Sequence, residues 1–308
     1  MQFNSLPVEL PPDLQAPINF PAFHTVRELP QARAASGMVY RMKAPQTGAD
    51  CVFKLIPLPL RNEQEVTQSV DAIKGAWRGA GFHDNVVVFF DCTYDQVSQR
   101  FVIATEWMDG YSLSDHLGVP LPEPIVGGII AQTLHGLAHL HKQSHTAHRD
   151  LKPSNILLNS QGVAKITDLG QSRQLQATMD AMGTFVGAQV YMSPERLQGA
   201  SYTSTCDVWS LGIITLECAL GRYPYLPEGQ SELQFDQVIF LIEDSPPPRM
   251  TAPGYSPASV DFVDKALVQL AEMRQHSVQL LEHPWVQAHA APACLPPIAA
   301  WVQSKGLA

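Results

Sequence analysis

Apolar residues come in short runs along the first third of the chain. The segments MVYRMKA (38–44), ADCVFKLI (49–56), NVVVFFDCTY (85–94) and RFVIATEW (100–107) are β-branched or aromatic and are divided by turn residues such as PQTG (45–48). This pattern predicts an antiparallel sheet. Between the second and third runs, Val66, Val70, Ile73 and Trp77 recur at steps of four, three and four. One amphipathic helix from about Asn62 to Trp77 follows, packed on the sheet. After Trp107 the texture changes. SLSDHL (112–117) has a serine cap pattern, and EPIVGGIIAQTLHGLAHLHKQ (123–143) predicts a long helix that tolerates its glycines only if well packed. The later pattern is mostly helical, and the Pro-rich DSPPPRMTAPGYSP (244–257) reads as a surface loop. The expected fold class is α+β, a small antiparallel β lobe with one helix followed by a larger, mainly helical lobe.

Residues 1–26 hold five prolines and no lysine or arginine, the composition of an extended, poorly ordered arm. Expected boundaries are therefore an arm at 1–19, a two-lobed domain at 20–287 divided at 106/107, and a tail at 288–308. The 308 residues are 45% hydrophobic, enough for a sizeable core. With 29 acidic and 20 basic residues the net charge is −9, which argues against general attraction to nucleic acid or an anionic membrane. Any handling of phosphate must be local. Five widely spread cysteines lack the CxxC spacing of a zinc or redox site and read as reduced thiols. No basic start followed by an apolar run marks a secretory signal, so a cytoplasmic location is expected. The most apolar segment, DVWSLGIITLECALG (207–221), is too short for a bilayer and carries Ser210 and Glu217, so a helix buried within the protein is expected.

The chemistry concentrates in HRDLKPSN (148–155) and, shortly after it, DLG (168–170). Phosphoryl transfer needs an acceptor for the substrate hydroxyl proton, a cation near the moving phosphoryl group and oxygen ligands for a divalent metal. Asp150 supplies the first and Lys152 the second, while Asn155 and Asp168 offer metal-binding oxygens.

With these motifs the chain resembles the eukaryotic protein kinases from about Phe20 to Val286. MSPE (192–195) resembles the segment that closes the family's activation loop, and DVWSLG (207–212) its buried central helix. The resemblance implies a bilobal protein-kinase fold, an ion pair between Glu195 and Arg274, and an Asp207 that anchors the catalytic loop. HRDLKPSNILLN, FVGAQVYMSPERLQGASYTSTCDVWSLG and GRYPY are most similar to the MAP kinase kinases. That likeness implies an enzyme using ATP and Mg2+, a downstream MAP kinase as substrate and an upstream activating kinase. Thr178 and Thr184 enclose five residues, a spacing similar to the regulatory phosphosites of plant and protist members. A basic, leucine-containing docking motif, common near the N-terminus of such enzymes, is not visible before Arg27.

Several positions depart from the family pattern. Lys54, in CVFK, resembles the lysine that grips the α and β phosphates. QARAASG (31–37) lies between FHTVRELP and MVYRMKA, where a strand, a tight turn and a returning strand suit the pattern. Counting back from Lys54, Gly37 and Val39 fall on the last glycine and the strand valine of the nucleotide loop, and Ala32 and Ala34 replace its first two glycines. Weaker nucleotide affinity is expected, because Cβ atoms limit the approach of backbone N–H groups to phosphate. The helix carboxylate that should pair with Lys54 has three candidate positions: Asp71 by counting, Ser69 by the apolar pattern, and Glu65 one turn earlier. Ala188 stands where threonine is usual. ATEWMDG (104–110) resembles the segment joining the lobes, with Thr105 guarding the adenine pocket and Glu106 and Met108 offering backbone hydrogen bonds. Leu157 is the expected floor for the base, and Leu169 replaces the usual phenylalanine. An alternative function is a pseudokinase or scaffold that binds nucleotide weakly and acts through protein contacts.

Overall fold

The computed structural model describes residues 11–15, 17–29, 37–58, 60, 62–143, 147–169, 189–226 and 235–306. Ala32, Ala34, Thr178, Thr184 and Ala188 lie outside the described residues. The described residues fall into two compact units: one of residues up to Trp107 together with Leu169, the other from Met108 to Asp168 and from Gln189 onward.

The first unit is a five-stranded antiparallel sheet. Its strands are β1 (His24–Glu28), β2 (Met38–Lys43), β3 (Asp50–Pro57), β4 (Phe89–Asp95) and β5 (Arg100–Glu106), in the order β1-β2-β3-β5-β4. Helix α1 (Glu63–Ala80) starts at Asn62, whose side chain accepts the Glu65 N–H at 2.9 Å. It runs one turn beyond the expected end because nothing stops it before Gly81, whose φ of 66° suits glycine. The helix buries Ser69, Ile73, Trp77 and Ala80, and Trp77 stacks on Phe89 with ring centroids 5.2 Å apart.

The other face of the sheet is covered by the segment before β1. The expectation of a poorly ordered arm over 1–19 is corrected for its described part. Leu14 and Ile18 are 2% and 8% exposed and pack with Phe23, Phe53, Phe90 and Ala104. The Asp13 carboxylate accepts the Gln46 and Thr47 N–H groups and the Thr47 hydroxyl in the β2–β3 turn. The Ile18 N–H donates to Asp91 Oδ2 at 3.0 Å, while Lys74 of α1 reaches Asp91 Oδ1 at 2.6 Å. Apolar side chains that cap an otherwise bare sheet face outweigh the cost of ordering a proline-rich segment, which has little conformational entropy to lose.

The second unit is built on α2 (Glu123–Gln143), the hairpin β6 (Ile156–Leu158) and β7 (Ala164–Ile166), a short α3 (Pro194–Leu197) and α4 (Thr205–Leu220). It continues through α5 (Phe235–Asp244), α6 (Pro257–Ala266), α7 (Ser277–Leu280), α8 (Pro284–Ala288) and α9 (Leu295–Ser304). Helices α2 and α4 are buried around most of their circumference and so form the core. Among the described residues no helix is long and apolar enough to cross a membrane. Two glycines of α2, Gly127 and Gly128, are tolerated because neighbours fill their space. A Cβ on Gly127 would lie 2.4 Å from the His289 ring, and one on Gly128 2.8 Å from Cys294 Cβ. The expected tail from 288 onward thus packs on this unit, with Ile298 and Val302 of α9 buried.

Candidate active site

Residues 147–155 form an irregular loop after α2, and the start of its backbone is held by one carboxylate. Asp207, at the start of α4 and 1% exposed, accepts the Arg149 N–H on Oδ1 at 2.8 Å. Its Oδ2 accepts the His148 N–H at 2.7 Å and a bond from His141 Nε2 at 2.8 Å. Burial alone would raise the Asp207 pKa, but these donors outweigh it and hold the group below the usual carboxylate range. The His148 ring accepts the Asp150 N–H on Nδ1 at 3.3 Å, so the other nitrogen carries the proton and donates to the Thr167 carbonyl at 2.8 Å. Thr167 also donates its N–H to the Asn155 carbonyl at 3.0 Å. The loop is thereby tied to the residue preceding Asp168.

Asp150, Lys152 and Asn155 are brought together within this frame. Asp150 is 7% exposed, and its Oδ2 accepts Lys152 Nζ at 2.8 Å and Asn155 Nδ2 at 3.0 Å. Asn155 Nδ2 also donates to the Asp150 carbonyl at 2.7 Å. With its amide nitrogen so engaged, Asn155 is left with Oδ1 to offer a cation. Arg149 and Asp168 adopt left-handed backbone, with φ of 73° and 65°. Such conformations cost about 1–3 kcal/mol each and persist only where the surroundings hold them. For Arg149 the holding contacts are Asp207 on its N–H and Arg196 Nη1 on its carbonyl.

Glu195 and Arg274 form a bidentate pair at 2.8 and 3.0 Å. Burial would raise the Glu195 pKa, yet the guanidinium brings it below its ordinary value. Sequence reasoning missed two partners nearby. His141 gave no signal, because a histidine near the end of an amphipathic helix reads as surface. The pair of Tyr191 and Glu217, joined at 2.7 Å between hydroxyl and Oε2, has members far apart in sequence and of residue types without a motif.

In the first unit, Val39 pairs across the sheet with Lys54, Lys54 with Ile103, and Ile103 with Cys92. These residues form one row on one face. The Cys92 thiol lies 3.8 Å from the Val70 carbonyl of α1, so the row faces that helix. Gly37, with φ of 125°, leads into β2 where a Cβ would lie 2.1 Å from the Leu55 carbonyl, so only glycine fits. On α1, Ser69 is buried and Asp71 exposed. Glu65 is half-buried, one turn before Ser69 on the same face. Glu106 ends β5, accepting the Val88 N–H on its side chain at 2.7 Å and donating its own N–H to the Val88 carbonyl. In the second unit, Met108 is buried and Leu157 half-buried on β6, where Leu157 bridges to Ser112.

Residues 33–286 match the protein kinase domain family. Mitogen-activated protein kinase kinase 2 of Arabidopsis thaliana is 36% identical over 262 residues, which cover 83% of this chain and 70% of that protein. Mitogen-activated protein kinase kinase 1c of Physcomitrium patens is 35% identical over 262 residues, covering 83% and 75%. Dual specificity mitogen-activated protein kinase kinase 1 of Dictyostelium discoideum is 40% identical over 205 residues, covering 65% of this chain and 30% of that longer protein. The chain belongs to the protein kinases, and within them to the MAP kinase kinase group. It is an ATP-dependent phosphotransferase, and nothing in these likenesses favours a scaffold without transfer. The family uses ATP with a divalent cation. The donors present fit such a cation, since Asn155 Oδ1 and the Asp168 carboxylate are hard oxygen ligands.

Proposed function

We propose that this kinase phosphorylates threonine and tyrosine hydroxyls of a downstream MAP kinase and is itself switched on by an upstream kinase. The observation that carries the reading is the Asp150 carboxylate, fixed by Lys152 and Asn155 on a loop pinned to α4 through Asp207. In this reading Asp150 accepts the proton of the incoming hydroxyl. Lys152 holds Asp150 and balances charge developing on the phosphoryl oxygens, and Asn155 and Asp168 hold Mg2+. Lys54 grips the α and β phosphates from the row it shares with Val39, and Gly37 brings backbone close to them. Glu106 and Met108 offer backbone groups to adenine, and Leu157 forms its floor. Of the carboxylates on α1, Glu65 is the partner proposed for Lys54, because it shares the face of buried Ser69 whereas Asp71 is exposed. The catalytic domain is proposed to span about residues 20–287, with the segment before it and α9 packed on as parts of the fold.

The test is transfer of radiolabelled phosphate to a panel of kinase-dead MAP kinases. Asp150→Ala is expected to abolish transfer while nucleotide affinity changes little, and Asp168→Ala to remove the Mg2+ dependence of nucleotide binding. Wild-type turnover by Asp150→Ala would overturn the assignment.

A further inference from the structure

Helix α9 packs against α2 through Ile298 and against two further pieces of the second unit, the segment 108–116 and the β6–β7 hairpin. Buried Val302 fills the space beside Gly110, where a Cβ would lie 2.9 Å from Val302 Cγ1 and 2.9 Å from the Leu158 carbonyl oxygen. The Gly110 N–H donates to that carbonyl at 3.0 Å, and the Leu158 N–H donates back to the Tyr111 carbonyl at 2.8 Å. The Trp301 ring lies on the ring of His116, centroids 4.9 Å apart, and His116 Nε2 donates to the Gly110 carbonyl at 2.7 Å. His116 is 3% exposed and its Nδ1 has no hydrogen-bond partner among the described residues, so the bond from Nε2 and the Trp301 contact both help to fix the ring. At the far end of the hairpin, Gln303 Nε2 donates to the Ser160 carbonyl at 2.8 Å. Ser160 in turn donates its N–H and hydroxyl to the Asp109 carboxylate, at 2.7 and 2.6 Å. Gly162, with φ of 84°, lets the hairpin turn approach the Leu295 carbonyl.

We propose that α9 is a positioning element for nucleotide: by clamping segment 108–116 to the β6–β7 hairpin, it fixes Met108 and Leu157 in register. The inference rests on the reading that these two residues contact adenine. Side chains on α9 touch no reacting atom, so they act through the backbone bonds joining Gly110 and Tyr111 to Leu158. Linkage makes the coupling reciprocal, so bound nucleotide holds α9 more firmly in place. A partner that drew α9 off its seat would lower nucleotide affinity without entering the active site.

The experiment measures ADP binding with Mg2+ by titration calorimetry, and the KM for a protein acceptor, in full-length variants. The double variant Trp301→Ala, Gln303→Ala is expected to raise the ADP Kd about fivefold, the low end of couplings between sites, with acceptor KM unchanged. Trp301→Phe, which keeps a ring against His116, is expected to retain wild-type affinity. Leu157→Ala checks the underlying reading and is expected to weaken ADP binding. If Leu157→Ala binds ADP as the wild type does, the adenine assignment fails and takes this inference with it. If Leu157→Ala weakens binding but the α9 double variant lowers only the melting temperature, the adenine assignment stands and the role of α9 is overturned.

Discussion

Arg274 presents five N–H groups, and each has an acceptor. Two go to Glu195, and the others to the carbonyls of Thr205, Val268 and Gln269. Its side chain is fully buried, so removing it would strand a carboxylate away from water. Arg274→Met is expected to destabilise the protein by about 3–5 kcal/mol, and adding Glu195→Gln to recover part of that loss, as read by thermal unfolding. Glu217 works in the opposite sense. Burial raises its pKa from the ordinary 4.5 to about 6, and the bond from Tyr191 only moderates the rise. A carboxyl whose folded pKa is raised favours the folded state when protonated. Its contribution is complete below about 4.5 and is lost as pH climbs through about 6. Glu217→Gln is therefore expected to stabilise the protein at pH 7.5, by at most ~2 kcal/mol, and to change little at pH 4.5. Equal effects at both pH values would show that ionisation of Glu217 is not what the substitution removes. The carboxylate has a place in the architecture all the same. Tyr191 is held by Glu217 through its hydroxyl and by Ser210 through its carbonyl, immediately before Met192–Glu195.

At the scale of elements, the sheet of the first unit has two covers, and they meet at one carboxylate. Helix α1 lies on one face and reaches Asp91 through Lys74; the segment before β1 lies on the other and reaches Asp91 through the Ile18 N–H. Leu14→Ala is expected to cost about 2–5 kcal/mol, the range for emptying a buried leucine site. A poorly ordered arm would give no change, so the melting temperature of this variant separates the two descriptions. Helix α1 was legible in the sequence because its apolar face repeats at helical spacing and Asn62 is a strong cap. The segment before β1 was not. Proline content and missing charge describe an average tendency, whereas burial of Leu14 and Ile18 depends on an apolar surface supplied by residues between Met42 and Ala104. Helix α9 was half legible. The glycines of α2 implied a close neighbour, but nothing local named His289, Cys294 or Ile298 as that neighbour. In the candidate site, HRDLKPSN stood out because four required residue types fall within one loop. The anchoring role of Asp207, on α4, was implied by the family resemblance, but its hydrogen bond to His141 of α2 spans 66 residues of chain, and nothing in the pattern pointed to that histidine.

For the whole molecule, control is expected to pass through Arg149. Its guanidinium lies 5.7 Å from the centre of the Tyr202 ring, and its buried Nε has no hydrogen-bond partner among the described residues. A phosphate carries charge near −2 and several acceptor oxygens, the group best able to occupy such a guanidinium. Phosphorylation at Thr178 and Thr184 by an upstream kinase is therefore expected to raise turnover, and Thr178→Ala with Thr184→Ala to remove that response while basal activity survives. Mass spectrometry paired with turnover on one MAP kinase checks this, and full activation of the double variant would count against it. The seat of α9 bears also on how the chain comes into being. Synthesis completes α2 about 155 residues before Ile298, so a nascent chain holds gaps beside Gly128 and Gly110 until α9 emerges to fill them. Until then the second unit offers an apolar groove to any hydrophobic segment nearby. Demand for a chaperone should accordingly persist late into translation, and fall away once residue 302 is free to dock.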